Sequence, residues 1–379
     1  MTFVFALCVD LLFYIYLGYP VLVWLLARLS PQSIQKPEGT YEPTITVLIA
    51  AFNEAAHIEK TVRNKLEQEY PAEKLDVIVV SDSSDDGTDE IVQAIGDSRV
   101  RLVRQDPRAG KTSGLNLIAP QATGEVLITS DANSFYAPDT VRELVQPLAD
   151  PAVGYVTGRM LYRSPDGSAT GEGCSAYMRY ENQLRAWETQ LGSVVGVDGG
   201  VDAIRRSVWE PMRPDQLPDF VEPLTVREKG YRVVYQPTAR LYEDALAASD
   251  DEFRMRVRVT LRAWWALKDK SALLNPGKFG MFAWQLWSHK VLRYLAPFFQ
   301  IGALVANLVL AQQDPRWGAM LGLQGLFYAV ALAAHAMRDR DLPGPITAVY
   351  YLCLINLAGG LAFVQFLMGK KKVTWNPRT

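Results

Sequence analysis

The sequence predicts an α/β domain carried between membrane-spanning helices, and three observations predict it. Apolar, β-branched runs alternate with helical patterns between residues 44 and 129. The chain opens with Phe3–Leu29, apolar apart from Asp10 and long enough to span a bilayer. It closes with three more such runs, at roughly 291–311, 317–337 and 345–368.

The first run is read as an uncleaved anchor. Its start, Met1-Thr2-Phe3, lacks the basic residues of a secretory signal, and Arg28 follows the apolar core. That places the N-terminus outside and the polar domain in the cytoplasm of a plasma (inner) membrane protein. The aromatic segment Phe282 to Trp287, with His289, Lys290 and Arg293 close behind, suits a helix lying at the cytoplasmic interface. The expected parts are an anchor over 1–29, an α/β domain over 30–250, amphipathic interface helices over 251–290, and membrane helices with a short tail over 291–379. Four alternating crossings put Arg338 and Arg340 inside. They also put Lys370-Lys371-Lys372 outside, against the positive-inside rule. Either one segment does not cross or the tail breaks the rule; four crossings are the expectation.

Within the polar domain, Thr44–Ala51 reads as a buried strand, followed by Asn53-Glu54 and the helical pattern Ile58, Val62, Leu66, which Pro71 stops. Leu75–Val80 is a second strand. The turn Ser81 to Thr88 leads to a helix around Ile91-Val92, and Val100–Val103 is a third strand. Asn116 sits on a helix before the fourth strand, Glu125–Thr129. Such alternation implies a parallel, right-handed sheet whose ligands bind beyond the carboxyl ends of the strands. Asn53, Glu54, Asp82, Lys111, Asp131 and Asn133 all follow strands, so one crevice can collect them. Asp131-Ala132-Asn133 offers two oxygen ligands at a strand end, or an ordinary turn.

Composition narrows the function. The chain has 379 residues, 49% of them hydrophobic, and a net charge of −2, which gives no argument for nucleic acid. Three Cys and three His are scattered without metal spacing. Gly110-Lys111-Thr112 ends like a phosphate-binding loop, but Gln105 stands where its first glycine belongs. Gly171 to Ala176 matches a dinucleotide fingerprint without the preceding strand. Few ionisable residues interrupt the apolar runs, which argues against a transporter.

Taken in order, "TVLIAAFNE", "VIVVSDSSDDGTDE", "RAGKTSGLN" and "SDAN" resemble the family 2 glycosyltransferases of GT-A fold. "GVDGGVDAIRR", "LPDFVEPLTVREKGYRVVYQP" and "RMRVRVTLRAWW" resemble that family's cellulose-synthase-like membrane branch. The resemblance covers about residues 44–265. It implies an inverting enzyme that moves a sugar from a UDP-sugar to a lipid-linked sugar or polysaccharide acceptor; a departure from the family pattern around Arg258 argues for adding one or few sugars. Membrane lipid is a further expected partner. Asp82 would accept a hydrogen bond from uracil, with Asn53 and Glu54 nearby; Lys111 and Arg258 would face the diphosphate. Asp131 and Asn133 would hold Mg²⁺ or Mn²⁺. Asp198 would face the acceptor, and Asp219 would be the general base.

Two departures matter. Asn133 replaces the family's second Asp, and Met255 and Val259 replace the Gln and Trp around Arg258. Trp264 and Trp265 are then candidates to stack on acceptor sugar, or interface anchors. Arg254 and Arg262 share one helix face with Arg258 and read as a cationic face toward anionic lipid. Glu222, three residues after Asp219, is a second carboxylate of lower rank, and His57 a helix-surface residue. The alternatives are a polyprenyl-phosphate glycosyltransferase, which needs no strong base, and an inactive nucleotide-binding subunit of an export assembly.

Overall fold

The computed structural model describes residues 1–35, 39–163, 169–244, 249–338, 340 and 342–371, with side chains outside 162–175 and 244–251. Lys372 of the basic tail and the side chains of the Gly171–Ser175 stretch therefore lie outside the described residues.

Strands β1 (Ile45–Ala51), β2 (Leu75–Ser81), β3 (Val100–Arg104) and β4 (Val126–Asp131) pair in parallel in the order β3-β2-β1-β4. All seven residues of β1 are buried, as a central parallel strand covered on both faces requires. Short helices follow each strand: α3 (Ile58–Leu66), α4 (Thr88–Ala94) and α5 (Lys111–Ile118). Beyond β4 the sheet is not the parallel one the alternation predicts. After β5 (Phe135–Tyr136) and α6 (Thr140–Val145), strand β6 (Val153–Arg163) and β7 (Asp202–Arg205) run antiparallel to each other, and β7 runs antiparallel to β4. Strand β8 (Arg232–Asp244) pairs parallel to β6 and antiparallel to β5, which closes an eight-stranded mixed sheet. The long helix α7 (Ala169–Gln190) stands between β6 and β7 in the chain, and α8 (Pro218–Glu228) between β7 and β8.

Two helical pieces, α1 (Thr2–Phe13) and α2 (Tyr19–Leu29), join through a π-helical turn into one apolar helix. The amphipathic α9 (Ser249–Asp269) precedes α10 (Pro276–Leu286), which continues through a second π-turn, Trp287–Val291, into α11 (Leu292–Ala311). Helices α12 (Pro315–Ala336) and α13 (Gly344–Leu367) complete the bundle. Among the described residues four segments, Thr2–Leu29, Pro276–Ala311, α12 and α13, are long and apolar enough to cross a membrane.

Helix α13 runs alongside α9 for its whole length. Tyr350 and Leu354 meet Phe253, then Ala358 and Ala362 meet Val257 and Leu261, then Phe366 packs on Trp264 and Trp265. Tyr351 donates to Glu252 at 2.5 Å near its start; Trp265 donates to the Lys370 carbonyl at 2.9 Å beyond its end. Lys371 then reaches Asp215, in the segment before α8, at 2.5 Å. The middle of α13 thus rests on α9 and its far end on the α/β domain, while Tyr350 meets Ala334 and His335 at the end of α12. Gly359 and Gly360 pack on Tyr294 and Pro297 of α11, and a third face exposes Leu357, Leu361, Val364 and Leu367, an apolar stripe at helical spacing.

Candidate active site

The carboxyl ends of β1, β2 and β4 lie side by side because Ala50 pairs with Asp131 and Ala51 with Ser81. The segments leaving those strands therefore meet at one edge of the sheet. A cavity of about 300 Å³ opens there, and Glu54, Lys111, Asp131, Asn133, Asp198, Asp219 and Arg258 all line it.

Lys111 is the centre of this arrangement. As the first residue of α5 it places its ammonium 2.6 Å from Asp131 and 3.5 Å from Asp219. Burial alone would depress its pKa, but the Asp131 and Asp219 carboxylates outweigh burial and hold it firmly charged. Asp219 sits in the first turn of α8, behind Pro218 at the helix start, where the helix dipole favours negative charge. Burial raises its carboxyl above the ordinary range, against the pull of Lys111. Gly199, at φ +81°, packs against it: a Cβ there would lie 2.5 Å from the Asp219 carboxyl carbon. Gly199 thus makes room for the protein's own carboxylate.

The Asp131–Asn133 loop is held from below by residues that sequence reasoning passed over. Thr61 donates to the Ala132 carbonyl at 2.6 Å, and the wholly buried Lys65 donates to the Ser134 carbonyl at 2.6 Å. Ser134 donates to Glu243 at 3.0 Å, and Tyr136 to the Gly200 carbonyl at 2.6 Å. Lys65 follows Thr61 by one helical turn, so the signal was a polar pair on the apolar face of α3.

Asp131 and Asn133 are the oxygen donors that could hold a divalent cation. No group of three or more His, Cys, Asp or Glu is arranged for a metal among the described residues. Two hard oxygen donors on an open cavity fit Mg²⁺ or Mn²⁺ if phosphate oxygens and water complete the shell. Without them, Lys111 already satisfies one oxygen of Asp131.

Four expected site residues fall elsewhere. Asn53, at φ 54°, exchanges two hydrogen bonds with Asp85, at 2.8 and 3.0 Å, and ties the loop after β1 to the loop after β2. Asp82 is 1% exposed, and its carboxylate accepts from Gln105 and from the Ala109 and Gly110 backbone at 2.5 to 3.1 Å. It anchors the loop that carries Arg108, whose guanidinium lies 3.5 Å over the Phe52 ring. Trp264 packs among Tyr294, Phe363 and Phe366, and Trp265 against Phe366, so neither lines the cavity. The reason is α13: it covers the face of α9 that the sequence left open to sugar. Arg262 is corrected too. It is buried and donates to Thr112 and to the Gln216 carbonyl instead of meeting lipid, whereas Arg254 is exposed.

Glu222 turns away from the cavity, is 4% exposed, and is pushed up to about 8 by burial and then by Asp219. Its folded pKa lies above the unfolded value of about 4.3, so the folded state binds the extra proton between those values and stability falls as pH rises through that window. Glu222→Gln is therefore expected to melt higher than the parent at pH 8, with the difference shrinking toward pH 5. Melting curves that stay parallel across that range would place Glu222 in a charged, paired state.

A lysine-bridged carboxylate pair thus stands at the carboxyl edge of the sheet, in a chain with long apolar helices. Residues 46–210 match the family described as Glycosyl transferase family 2. The chain has the GT-A fold and is a glycosyltransferase that takes its sugar from a nucleotide sugar. It is similar to the beta-monoglucosyldiacylglycerol synthase of Trichormus variabilis, 24% identical over 91% of this chain and 75% of that one. It is also similar to the poly-beta-1,6-N-acetyl-D-glucosamine synthase of Staphylococcus aureus, 26% identical over 66% of this chain and 64% of that one. Among solved structures, the mannosyltransferase PcManGT from Pyrobaculum calidifontis, in complex with GDP-Man and Mn²⁺, shares the fold at a TM-score of 0.73. That likeness covers 97% of this chain and 99% of the other at 24% identity.

Proposed function

We propose that this protein is a metal-dependent, inverting glycosyltransferase that moves one sugar from a UDP-sugar to a hydroxyl of a lipid-linked acceptor at the membrane surface. The observation that carries the reading is Lys111 held between Asp131 and Asp219, one carboxylate suited to a cation and the other to a proton. In this reading Asp219 accepts the proton of the acceptor hydroxyl as its oxygen attacks the anomeric carbon. The bond from that carbon to the diphosphate breaks, and the nucleoside diphosphate leaves from the opposite face. One base and one displacement invert the configuration. A divalent cation held by Asp131 and Asn133 would offset charge on the departing diphosphate. Lys111 and Arg258 add positive charge to the same region, and Lys111 keeps the two carboxylates from repelling each other.

The base pocket is proposed beside Phe52, Arg108 and the loop that Asp82 anchors, so Asp82 and Asn53 shape the nucleotide site from behind. A GDP-sugar is the second reading, favoured by the GDP-Man bound to the similar mannosyltransferase. The test is mass spectrometry of products formed in native membranes from UDP-glucose, UDP-N-acetylglucosamine, UDP-galactose and GDP-mannose. A new glycolipid from a UDP-sugar supports the reading. Transfer from GDP-mannose alone replaces UDP by GDP, and turnover of none of the donors sinks both.

Three of the four apolar helices are taken to cross the membrane, with α13 lying along its surface. Helix α13 lies along α9, the segment after it bonds to Asp215 of the catalytic domain, and its exposed apolar stripe suits an in-plane helix. Arg28, Lys290, Arg338, Lys370 and Lys371 then share the side of the catalytic domain, which removes the charge conflict of four crossings. Protease-cleavable tags after Lys371 and beside the exposed Glu59 are expected to be cut together in sealed vesicles of one orientation. Cleavage of the two from opposite sides would make α13 a crossing helix.

A further inference from the structure

The cavity does not end at Asp219. It continues beneath α13 to Lys290, Arg293 and Tyr294, where the π-turn passes into α11, with Asn356 and Gly359 of α13 along it. The charges at this end are almost all matched. Arg185 makes a two-pronged pair with Asp198 at 2.5 Å. Arg293 pairs with Glu181, and His289 bridges Glu188 at 2.7 Å and Glu181 at 3.1 Å. The second oxygen of Glu188 accepts from the Val195 backbone. These carboxylates are fully engaged.

Lys290 is the exception. Among the described residues no carboxylate lies within ion-pair distance of its ammonium, and no acceptor within hydrogen-bond distance. The fold makes room for it: a Cβ at Gly196 would lie 2.5 Å from both its Cε and its Nζ. Lining the same cavity, Asn356 is 4% exposed; its oxygen accepts from Tyr16 at 2.7 Å while its Nδ2 is buried without an acceptor. An unmatched ammonium at the head of an apolar helix is costly unless something binds it. Two donors without an acceptor call for an anion.

The distance along the chain says what kind. Gly196, against Lys290, and Gly199, against Asp219, are three residues apart, a span of at most ~11 Å. An anion on Lys290 therefore lies along the same loop as the base, within the reach of a short glycan. It also sits between the catalytic domain and the apolar helices, where an anion attached to a lipid can reach. We propose that Lys290 and Asn356 form a binding site for the phosphate or diphosphate of a lipid-linked acceptor, whose sugar extends from there to Asp219. This rests on the reading of the acceptor as a lipid-linked sugar, and it sets that acceptor apart from a neutral glycerolipid.

The test is calorimetric titration of the detergent-solubilised full chain with geranyl diphosphate, geraniol and inorganic pyrophosphate, in chelator and without donor. Geranyl diphosphate is expected to bind at least tenfold more tightly than either of the others. Lys290→Gln and Gly196→Ala are each expected to weaken it tenfold or more, and Lys290→Arg by less than threefold. Gly196→Ala keeps the charge and displaces it, so the result does not hang on one variant folding. Equal affinity in the parent and both weakening variants overturns the site. Pyrophosphate binding as tightly as geranyl diphosphate assigns it to a free anion and overturns the lipid acceptor. Binding is read without turnover, so an inactive transfer assay and an empty anion site are separate results.

Discussion

Asp219→Asn is expected to lower kcat by about 10³-fold, within the range that removing a general base produces, while leaving nucleotide affinity within about twofold. Asn keeps the shape of the side chain, so the close contact with Gly199 survives. Lys111 loses its weaker partner at 3.5 Å and keeps Asp131 at 2.6 Å, so the donor end of the cavity is preserved. The loss should therefore fall on kcat and not on donor KM. Gly199→Ala is the companion experiment. It leaves every charge in place but forces the carboxyl away from a Cβ 2.5 Å distant, and a large fall in kcat is expected there too. Full activity of Asp219→Asn toward a hydroxyl acceptor would move the base elsewhere. Activity retained only toward a polyprenyl phosphate would turn the assignment to phosphate glycosylation, which needs no strong base.

Asp131→Ala is expected to abolish transfer and with it the metal dependence of nucleotide binding. Asp131 is the one carboxylate of the proposed cation pair, and its removal also deprives Lys111 of its shorter ion pair. Asn133→Asp is expected to act in the opposite direction. A second carboxylate strengthens an oxygen site, so Mn²⁺ should bind more tightly in the absence of nucleotide and transfer should persist. Mn²⁺ titration of the parent and both variants checks this. Unchanged Mn²⁺ affinity in Asn133→Asp would remove Asn133 from the ligand set.

The residues at strand ends were legible before the structure. Alternation of β-branched runs and helical patterns located β1 to β4, and Asp131 stands at the last position of β4, as its sequence neighbourhood implied. The antiparallel half of the sheet was not legible. Strand β7 is four residues long and follows a glycine-rich loop, too short for periodicity to register. Asn53 and Asp82 illustrate a different limit. Both lie at the predicted edge, yet backbone and side-chain partners up to 32 residues away in sequence claim their polar atoms. Motif position located the edge but not the direction in which each side chain points.

The α13 helix marks the same division on a larger scale. Length and composition marked it as membrane-spanning, and nothing local distinguishes it from α11 or α12. Only the packed structure lays it along α9, buries Trp264, packs Trp265 on Phe366, and closes one chamber from Asp131 to Lys290. Lys290 itself read as one more basic residue near an interface. What the sequence by itself determined was the α/β core, the apolar helices and the set of chemical groups, because local periodicity and strand-end placement depend on neighbours in the chain. What the tertiary structure decided was which of those groups face one cavity and which charge is left without a partner, because ion pairing and burial depend on contacts between segments far apart in sequence.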